Sequence, residues 1–438
     1  MKKLLLILLC LPMIGFGQEW IQNYIYLGDG SGSCVQQTVD EGYIISGSTK
    51  DDGRGNILLI KTDEFGDTLW TKIFNDTGYG HWVKELVNGE YIIVGGGTTA
   101  MTTGGNDIKL IKTDEFGDTL WTKTITNPLD QMAYSIDETN DSSYIITGRE
   151  VQGAGIILLK IDNNGNTLWN QTHSFGHSGY EVKTDNDGNF IICGSSQSIS
   201  NGWDALLFKT NQNGDTIWTQ TYGGSGHEVA LGFDQTNDGG FIICGRTSDS
   251  LFLLKTDSLG ELIWQKSLGG NNDDYGEKIK QTIDGGYIIV GHTRSFGVGD
   301  YDIWLIKTDS VGDTLWTKTF VDSINNGFGY SVIQTSDNEY VITGRIDGGI
   351  CLIKTNVVAT PTWECLNNTC IDPGTGSGQY STQASCTAVC GVSAIQEHTT
   401  SKELLKVTDL LGRETKQTNQ PLFYIYDDGT VEKRIVIE

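Results

Sequence analysis

An all-β fold, a ring of seven four-stranded blades closed into a β-propeller, follows from three features of the sequence. Seven tryptophans, Trp20, Trp70, Trp121, Trp169, Trp218, Trp264 and Trp316, recur at intervals of 50, 51, 48, 49, 46 and 52 residues. Four short β-branched or aromatic runs, punctuated by Gly and Asp, fill each interval. No long stretch carries helical periodicity. Internal repetition at a period near 50 residues, with four strands per unit, is the signature of propeller blades.

The clearest repeat runs from Leu58 to Lys72 and recurs almost verbatim at Lys109 to Lys123 and at Trp304 to Lys318. Looser copies run Leu158 to Asn170, Leu206 to Thr219 and Leu253 to Lys266. The sixth unit shows the strand order. Glu277 to Thr282 alternates and ends at the turn Asp284-Gly285-Gly286; Tyr287 to Val290 is a β-branched run closed by Gly291; Asp302 to Lys307 and Thr314 to Lys318 are the third and fourth strands. The first unit opens on Trp20, a fourth strand with no blade before it, and the last stops at Lys354-Thr355, a third strand with no tryptophan strand after it. Residues 19–25 are therefore expected to complete the seventh blade, closing the ring non-covalently and hiding a strand edge that would otherwise invite aggregation.

Composition narrows the function. The chain has 438 residues with 57 Gly, 5 Pro and 10% aromatics, which excludes collagen and a disordered polymer. Its 30 basic and 55 acidic residues give a net charge of −25, which argues against nucleic-acid partners and anionic membranes. Met1-Lys2-Lys3, the apolar stretch Leu4 to Ile14 and Gly15-Phe16-Gly17 read as a secretory signal peptide over residues 1–17, and no later segment is apolar enough to span a bilayer as a helix. An exported monomer with no transmembrane segment in the mature chain is expected.

Loop lengths point to a binding face. Turns between first and second strands and between third and fourth are short and uniform, whereas the other two connections are long and variable and must emerge together on one side of the ring. On that side the candidates are Trp82 and Trp203, tryptophans out of the repeat register and suited to stacking on sugar rings. His81, His177 and His227 fall near one repeat position and would ring the channel mouth, with Asp273 and Asp274 at the matching place in the sixth blade. No metal site and no cofactor is predicted from them; calcium is the ion such a carboxylate-and-His group would take. The in-register tryptophans are expected to dock blade on blade. Asp162-Asn163-Asn164-Gly165-Asn166 has Gly at the fourth place rather than the sixth, so it reads as a hairpin turn and not a calcium loop. No Gly-x-Ser-x-Gly, His-Glu-x-x-His or phosphate loop occurs, and no catalytic residue is predicted.

Beyond Thr355 the composition changes. Four of the nine cysteines, Cys365, Cys370, Cys386 and Cys390, crowd a short module after a linker at Val357 to Pro361. In an exported chain they read as two disulfides, Cys386 and Cys390 on one helical turn each bonding back to Cys365 or Cys370, with a four-thiolate zinc site as the alternative. Cys193 and Cys244 sit at equivalent strand positions as small core residues; Cys34 and Cys351 receive no role. In residues 403–438, Phe423 to Tyr426 and Val431 to Ile437 flank Asp427-Asp428-Gly429-Thr430, a hairpin signal.

Two resemblances follow. Gly239-Gly240-Phe241-Ile242-Ile243, Gly285-Gly286-Tyr287-Ile288-Ile289 and the tryptophan series resemble secreted repeat propellers of Bacteroidota and, more distantly, quinoprotein-like propellers, over residues 19–355. The vicinal Cys pair or basic cradle of a quinone site is missing. The run Leu404 to Glu414, with Asp409-Leu410-Leu411-Gly412-Arg413, then Gly429 of the hairpin and Lys433 in the closing strand, resembles the C-terminal sorting domain of the type IX secretion system, without the Pro-Asn-Pro strand common upstream in that family. What this implies is outer-membrane transit by the secretion machinery and a place on the surface of, or outside, a Gram-negative cell. The expected organisation is signal peptide 1–17, propeller 18–356, linker and Cys-rich module 357–394, and sorting domain 395–438. The expected function is a non-catalytic binding module for a glycan or protein on the variable-loop face. A polysaccharide-degrading enzyme and a purely structural surface protein are the alternatives.

Overall fold

The computed structural model describes residues 19–24, 29–51, 54–98, 106–126, 130–150, 155–197, 202–224, 226–298, 300–320 and 326–355, together with five strands beyond them. Seven four-stranded antiparallel sheets form the ring. Their innermost strands are Asp29–Gln37, Tyr79–Glu85, Gln131–Glu138, Ser178–Thr184, Val229–Gln235, Asp274–Gln281 and Gly327–Gln334, and these head blades 1 to 7. Blade 7 is completed by Trp20–Tyr24, which pairs antiparallel with Gly349–Thr355 in the register Trp20↔Lys354 to Tyr24↔Ile350. The seven-bladed, N-terminally closed ring expected from the spacing is the fold.

Each blade is held to the next by one recurrent joint. The indoles of Trp20, Trp70, Trp121, Trp218 and Trp264 lie against Gly66, Gly117, Gly165, Gly260 and Gly312 in the outer hairpin of the following blade. These glycines have φ of +76° to +81°, and a Cβ at Gly312 would stand 2.5 Å from the Trp264 ring, so the turn needs glycine both for its conformation and for the indole. On the inner side the tryptophans meet the aromatic that opens the next blade's second strand, as in Trp20–Tyr43, Trp70–Tyr91 and Trp264–Tyr287, with ring centroids 6.0–6.3 Å apart. That contact is the structural content of the Gly-Gly-Tyr-Ile-Ile pattern. Polar clasps close the joint outside: Lys72 with Asp118 at 2.6 Å, Gln220 with Glu261 at 2.8 Å, and Lys318 with Glu19 at 2.5 Å.

The outer hairpins are Asx turns. Asp162 Oδ1 accepts from the backbone N–H groups of Asn164 at 2.9 Å and Asn166 at 2.7 Å, as Asp63 does from Phe65 and Asp67. With its carboxylate spent on its own turn, Asp162 belongs to a hairpin. Between blades the second and third strands, such as Tyr287–Thr293 and Asp302–Thr308, are wholly buried and supply the apolar core. Cys34, Cys193, Cys244 and Cys351 are buried and form no disulfide; Cys193 and Cys244 sit among these core side chains.

The chain divides at Thr360 into two compact units. In the second, Glu364–Leu366 pairs with Thr369–Ile371, with Cys365 and Cys370 as register partners. Leu404–Thr408, Pro421–Tyr426 and Val431–Ile435 form a three-stranded antiparallel meander, so the two runs read as a hairpin do pair. Residues 1–17, read above as a signal peptide, and Cys386, Cys390, Asp409, Gly412, Arg413 and Gly429 lie outside the described residues, as do the side chains of Cys365, Cys370 and Lys433. Among the described residues no helix is long and apolar enough to cross a membrane.

Candidate functional site: the bulge ring at the channel mouth

Every innermost strand carries a β-bulge at the same place. The register slips between Gly32 and Cys34, Gly80 and Trp82, Ala133 and Ser135, Gly179 and Glu181, Ala230 and Gly232, Gly276 and Lys278, and Gly329 and Ser331. The residue left over in each blade is Ser33, His81, Tyr134, Tyr180, Leu231, Glu277 or Tyr330. All seven line one cavity of about 390 Å³. A bulge re-aims a side chain that regular pleating would send elsewhere, and here seven bulges place one side chain per blade at the mouth of the channel. Trp82 and Lys278, one residue past the bulge, line its inner end, and the rest of the lining comes from the starts of inner strands and the ends of second strands, including Asp29, Ser31, Ser48 and Arg345, so the cavity opens on the variable-loop face.

Two positions make the bulge. The residue before it is Gly or Ala in all seven blades, because the neighbouring blade packs there: a Cβ on Gly329 would stand 2.6 Å from Val290 Cγ2. Across the ladder the second strand has glycine in all seven blades: Gly47, Gly95, Gly148, Gly194, Gly245, Gly291 and Gly344. A Cβ on any of them would be driven into the carbonyl oxygen of the residue two before the bulge (Tyr275 O for Gly291). Glycine inside a strand commonly marks such a close backbone approach.

The ring residues differ in chemistry. Tyr134 sits between His81 and Tyr180, with centroids 5.3 Å from each. His81 is held neutral by burial, its ordinary value pushed down to about 4, and its buried Nε2 has no hydrogen-bond partner within the protein. Burial pushes the Glu277 carboxyl up to about 7, against a small opposing pull from Arg246. Behind Glu277, His292 Nδ1 stands 3.8 Å away and is itself held down to about 4, chiefly by burial. The Tyr330 hydroxyl is raised to about 12 by burial, with Glu277 adding to it.

One residue deeper, the channel is filled. Lys278 of blade 6 reaches across to Glu181 of blade 4 at 2.8 Å, and its ammonium lies 3.8 Å from the ring centroid of Trp82 in blade 2. Glu181 is fully buried; burial alone would raise its carboxyl, but Lys278, Lys183 and Lys280 hold it below the ordinary value. Below this, ion pairs of Lys84 with Asp137 and Lys183 with Asp234 form a belt of alternating charge. The cavity lining thus joins aromatic faces, hydroxyls and internally balanced charge.

The residues singled out from sequence separate into three places. His81 and Trp82 are at the channel, His81 in the bulge ring and Trp82 at the inner end of the cavity beneath Lys278. His177 and Trp203 are in tilted ring contact on the rim of blade 4 with centroids 4.0 Å apart, and His227 joins Trp203 through a backbone bridge. The three histidines therefore do not share one repeat position: relative to the bulge, His81 is at it, His177 three residues before and His227 four before. Asp273 and Asp274 are not a free carboxylate pair. Asp274 is fully buried and takes hydrogen bonds from Thr293, Ser295 and the Gly270 N–H, anchoring its own loop, while Asp273 pairs with Arg294 at 3.3 Å. Among the described residues no three His, Cys, Asp or Glu side chains converge in an arrangement that could hold a metal ion.

Sequence reasoning missed Tyr134, Tyr180, Glu277 and Tyr330. Their signal was present, as the Gly or Ala step before each and the glycine that recurs inside every second strand.

No family model matches the sequence, and no curated protein matches it. Solved structures do match in fold. A catalytically inactive virginiamycin B lyase from Staphylococcus aureus with quinupristin aligns at TM-score 0.52 and 12% identity, over 78% of this chain and 100% of that one. The WD40 β-propeller domain of Doa1 aligns at TM-score 0.51 and 15% identity, over 76% and 95%. A streptogramin B lyase aligns at TM-score 0.50 and 12% identity, over 76% and 97%. At these identities the likeness is one of architecture: the chain is similar to propellers, a fold that hosts unrelated functions.

Proposed function

We propose that this protein is an extracellular, non-catalytic binding propeller that seats a saccharide in the mouth of its central channel. The observation that carries the reading is the bulge ring, which converts seven repeats of one scaffold strand into seven different side chains around a single cavity. Tyrosine faces offer stacking to the apolar side of a sugar ring, while the tyrosine hydroxyls, Glu277 and Ser33 offer hydrogen bonds around its edge. A volume of about 390 Å³ lies toward the small end of the range for ligand sites. Export rests on the signal-peptide pattern and on the resemblance of the C-terminal residues to a type IX sorting domain, whose secretion machinery would be the second partner. An enzymatic reading has one observation in its favour, a Glu277 carboxyl that exchanges its proton near neutrality.

The deciding experiment is a screen of the full secreted chain against soluble and insoluble polysaccharides and their monosaccharides, with and without calcium. Saturable binding lost in Tyr134→Ala and Tyr180→Ala, and kept in Trp203→Ala, is expected. Binding lost in Trp203→Ala alone would move the seat to the rim of blade 4; no binding to any saccharide would overturn the reading. Turnover abolished by Glu277→Gln would make the seat an active site.

A further inference from the structure

The channel seat is not the end of the aromatic surface. From Tyr330 in the bulge ring, Phe328 stacks at 6.4 Å with an interplanar angle of 8°, and Tyr301 of blade 6 follows at 5.2 Å from Phe328. Both rings are half-buried and lie on the variable-loop face over the seam of blades 6 and 7. Beneath them His292, itself buried, meets Tyr301 edge-on at 5.3 Å, Phe328 at 5.0 Å and Tyr275 at 4.9 Å, and acts as a common pillar. Polar groups frame the platform: Arg294 lies over the Tyr301 ring and pairs with Asp300 at 2.7 Å and Asp273 at 3.3 Å, while Arg246 covers Tyr275.

We propose that this platform is a second subsite continuous with the channel seat, so that the ligand is a linear glycan of several residues running out over Phe328 and Tyr301 rather than a single sugar. The inference rests on the saccharide reading above and adds a direction and a length to it. Three observations favour a sugar chain as occupant. The platform begins at a ring shared with the cavity, through the Phe328–Tyr330 stack. Its rings are braced before any ligand arrives, which lowers the ordering cost of binding. Arg294, the cation over Tyr301, is already paired with Asp300 and Asp273, so its charge is compensated before any ligand arrives, as an uncharged polyol chain requires. A protein segment is the competing occupant, and the experiment tells the two apart.

The test is titration calorimetry of the full chain with β-1,3- and β-1,4-linked gluco- and manno-oligosaccharides and α-1,4-linked gluco-oligosaccharides of one, two, four and six residues. The expected result is a series whose affinity rises at least tenfold between one and four residues. The Tyr301→Ala/Phe328→Ala variant should lose that gain while keeping the one-residue affinity within twofold, and Tyr301→Phe and Phe328→Tyr, which keep the rings, should retain it. Thermal melts of each variant establish that it is folded. Equal affinity at all lengths, or a gain that survives loss of both rings, would overturn the subsite and leave the channel seat standing. Absence of binding at every length, one residue included, would remove both. Retention of a protein ligand that depends on Tyr301 and Phe328, with no length effect from any series, would assign the platform to a protein instead.

Discussion

The outer joint of a blade and its innermost strand are built from the same repeat, yet they have diverged in opposite ways. At the joint, tryptophan, the Asx-turn carboxylate or amide, and the turn glycine recur around the ring, because each must fit the next blade. At the bulge the residue before it is always small, yet the bulged residue itself is Ser, His, Tyr, Tyr, Leu, Glu and Tyr. The backbone requirement is met by the Gly or Ala before the bulge and by the glycine across the ladder, so the side chain between them can vary. This repeat protein keeps its sequence uniform where blades touch and varies it at the channel mouth.

Substitutions separate these two regions by the size of their effects. The largest is expected at the glycine opposite the bulge: Gly291→Val drives a side chain into the Tyr275 carbonyl, and loss of more than about 3 kcal/mol of stability, or failure to fold, should be seen by urea denaturation. Retention of wild-type stability would mean the bulge is not held by that glycine. At the joint, Trp264→Ala leaves Gly312 and Tyr287 facing a void, and a loss of about 3–5 kcal/mol is expected in the same assay.

Within the bulge ring, Glu277 gives a pH signature. Its carboxyl is raised from 4.5 to about 7 in the fold, so the folded state holds the proton more tightly than the unfolded chain. The associated stability is complete below pH 4.5 and is lost as pH climbs to about 7. Glu277→Gln, which mimics the protonated acid, should therefore match wild type near pH 4.5 and exceed it at pH 8 by at most about 3 kcal/mol. Denaturation curves at the two pH values check this, and an equal difference at both would place the Glu277 carboxyl in an ordinary environment. The smallest effect is expected at Tyr180→Ser, a half-buried ring residue: a change of about 1 kcal/mol or less in stability, paired with loss of saccharide binding. A large destabilisation there would show the ring to be structural.

Sequence alone determined the blade count, the four-strand order, the non-covalent closure and the role of the in-register tryptophans, because each depends on spacing repeated seven times. The hairpin at Asp162 was equally legible, since an Asx turn is local. The site was legible only in part. Trp82, picked out as a departure from the repeat, and His81, picked out with two other histidines near one repeat position, do lie at the channel. Trp203 and His177 were also picked out and touch each other on a rim instead. Asp274 looked available in a loop and is buried by hydrogen bonds from residues some twenty positions downstream.

What only the tertiary structure decided was which residue of each inner strand faces the channel. A pleated strand assigns faces by a period of two, and a single extra residue reverses that assignment for everything beyond it. The glycine that permits the extra residue sits on the neighbouring strand and reads, in one dimension, as the end of an Ile-Ile run. Closing the ring then brings Glu181, Lys278 and Trp82, from blades 4, 6 and 2, into one contact that no local pattern encodes.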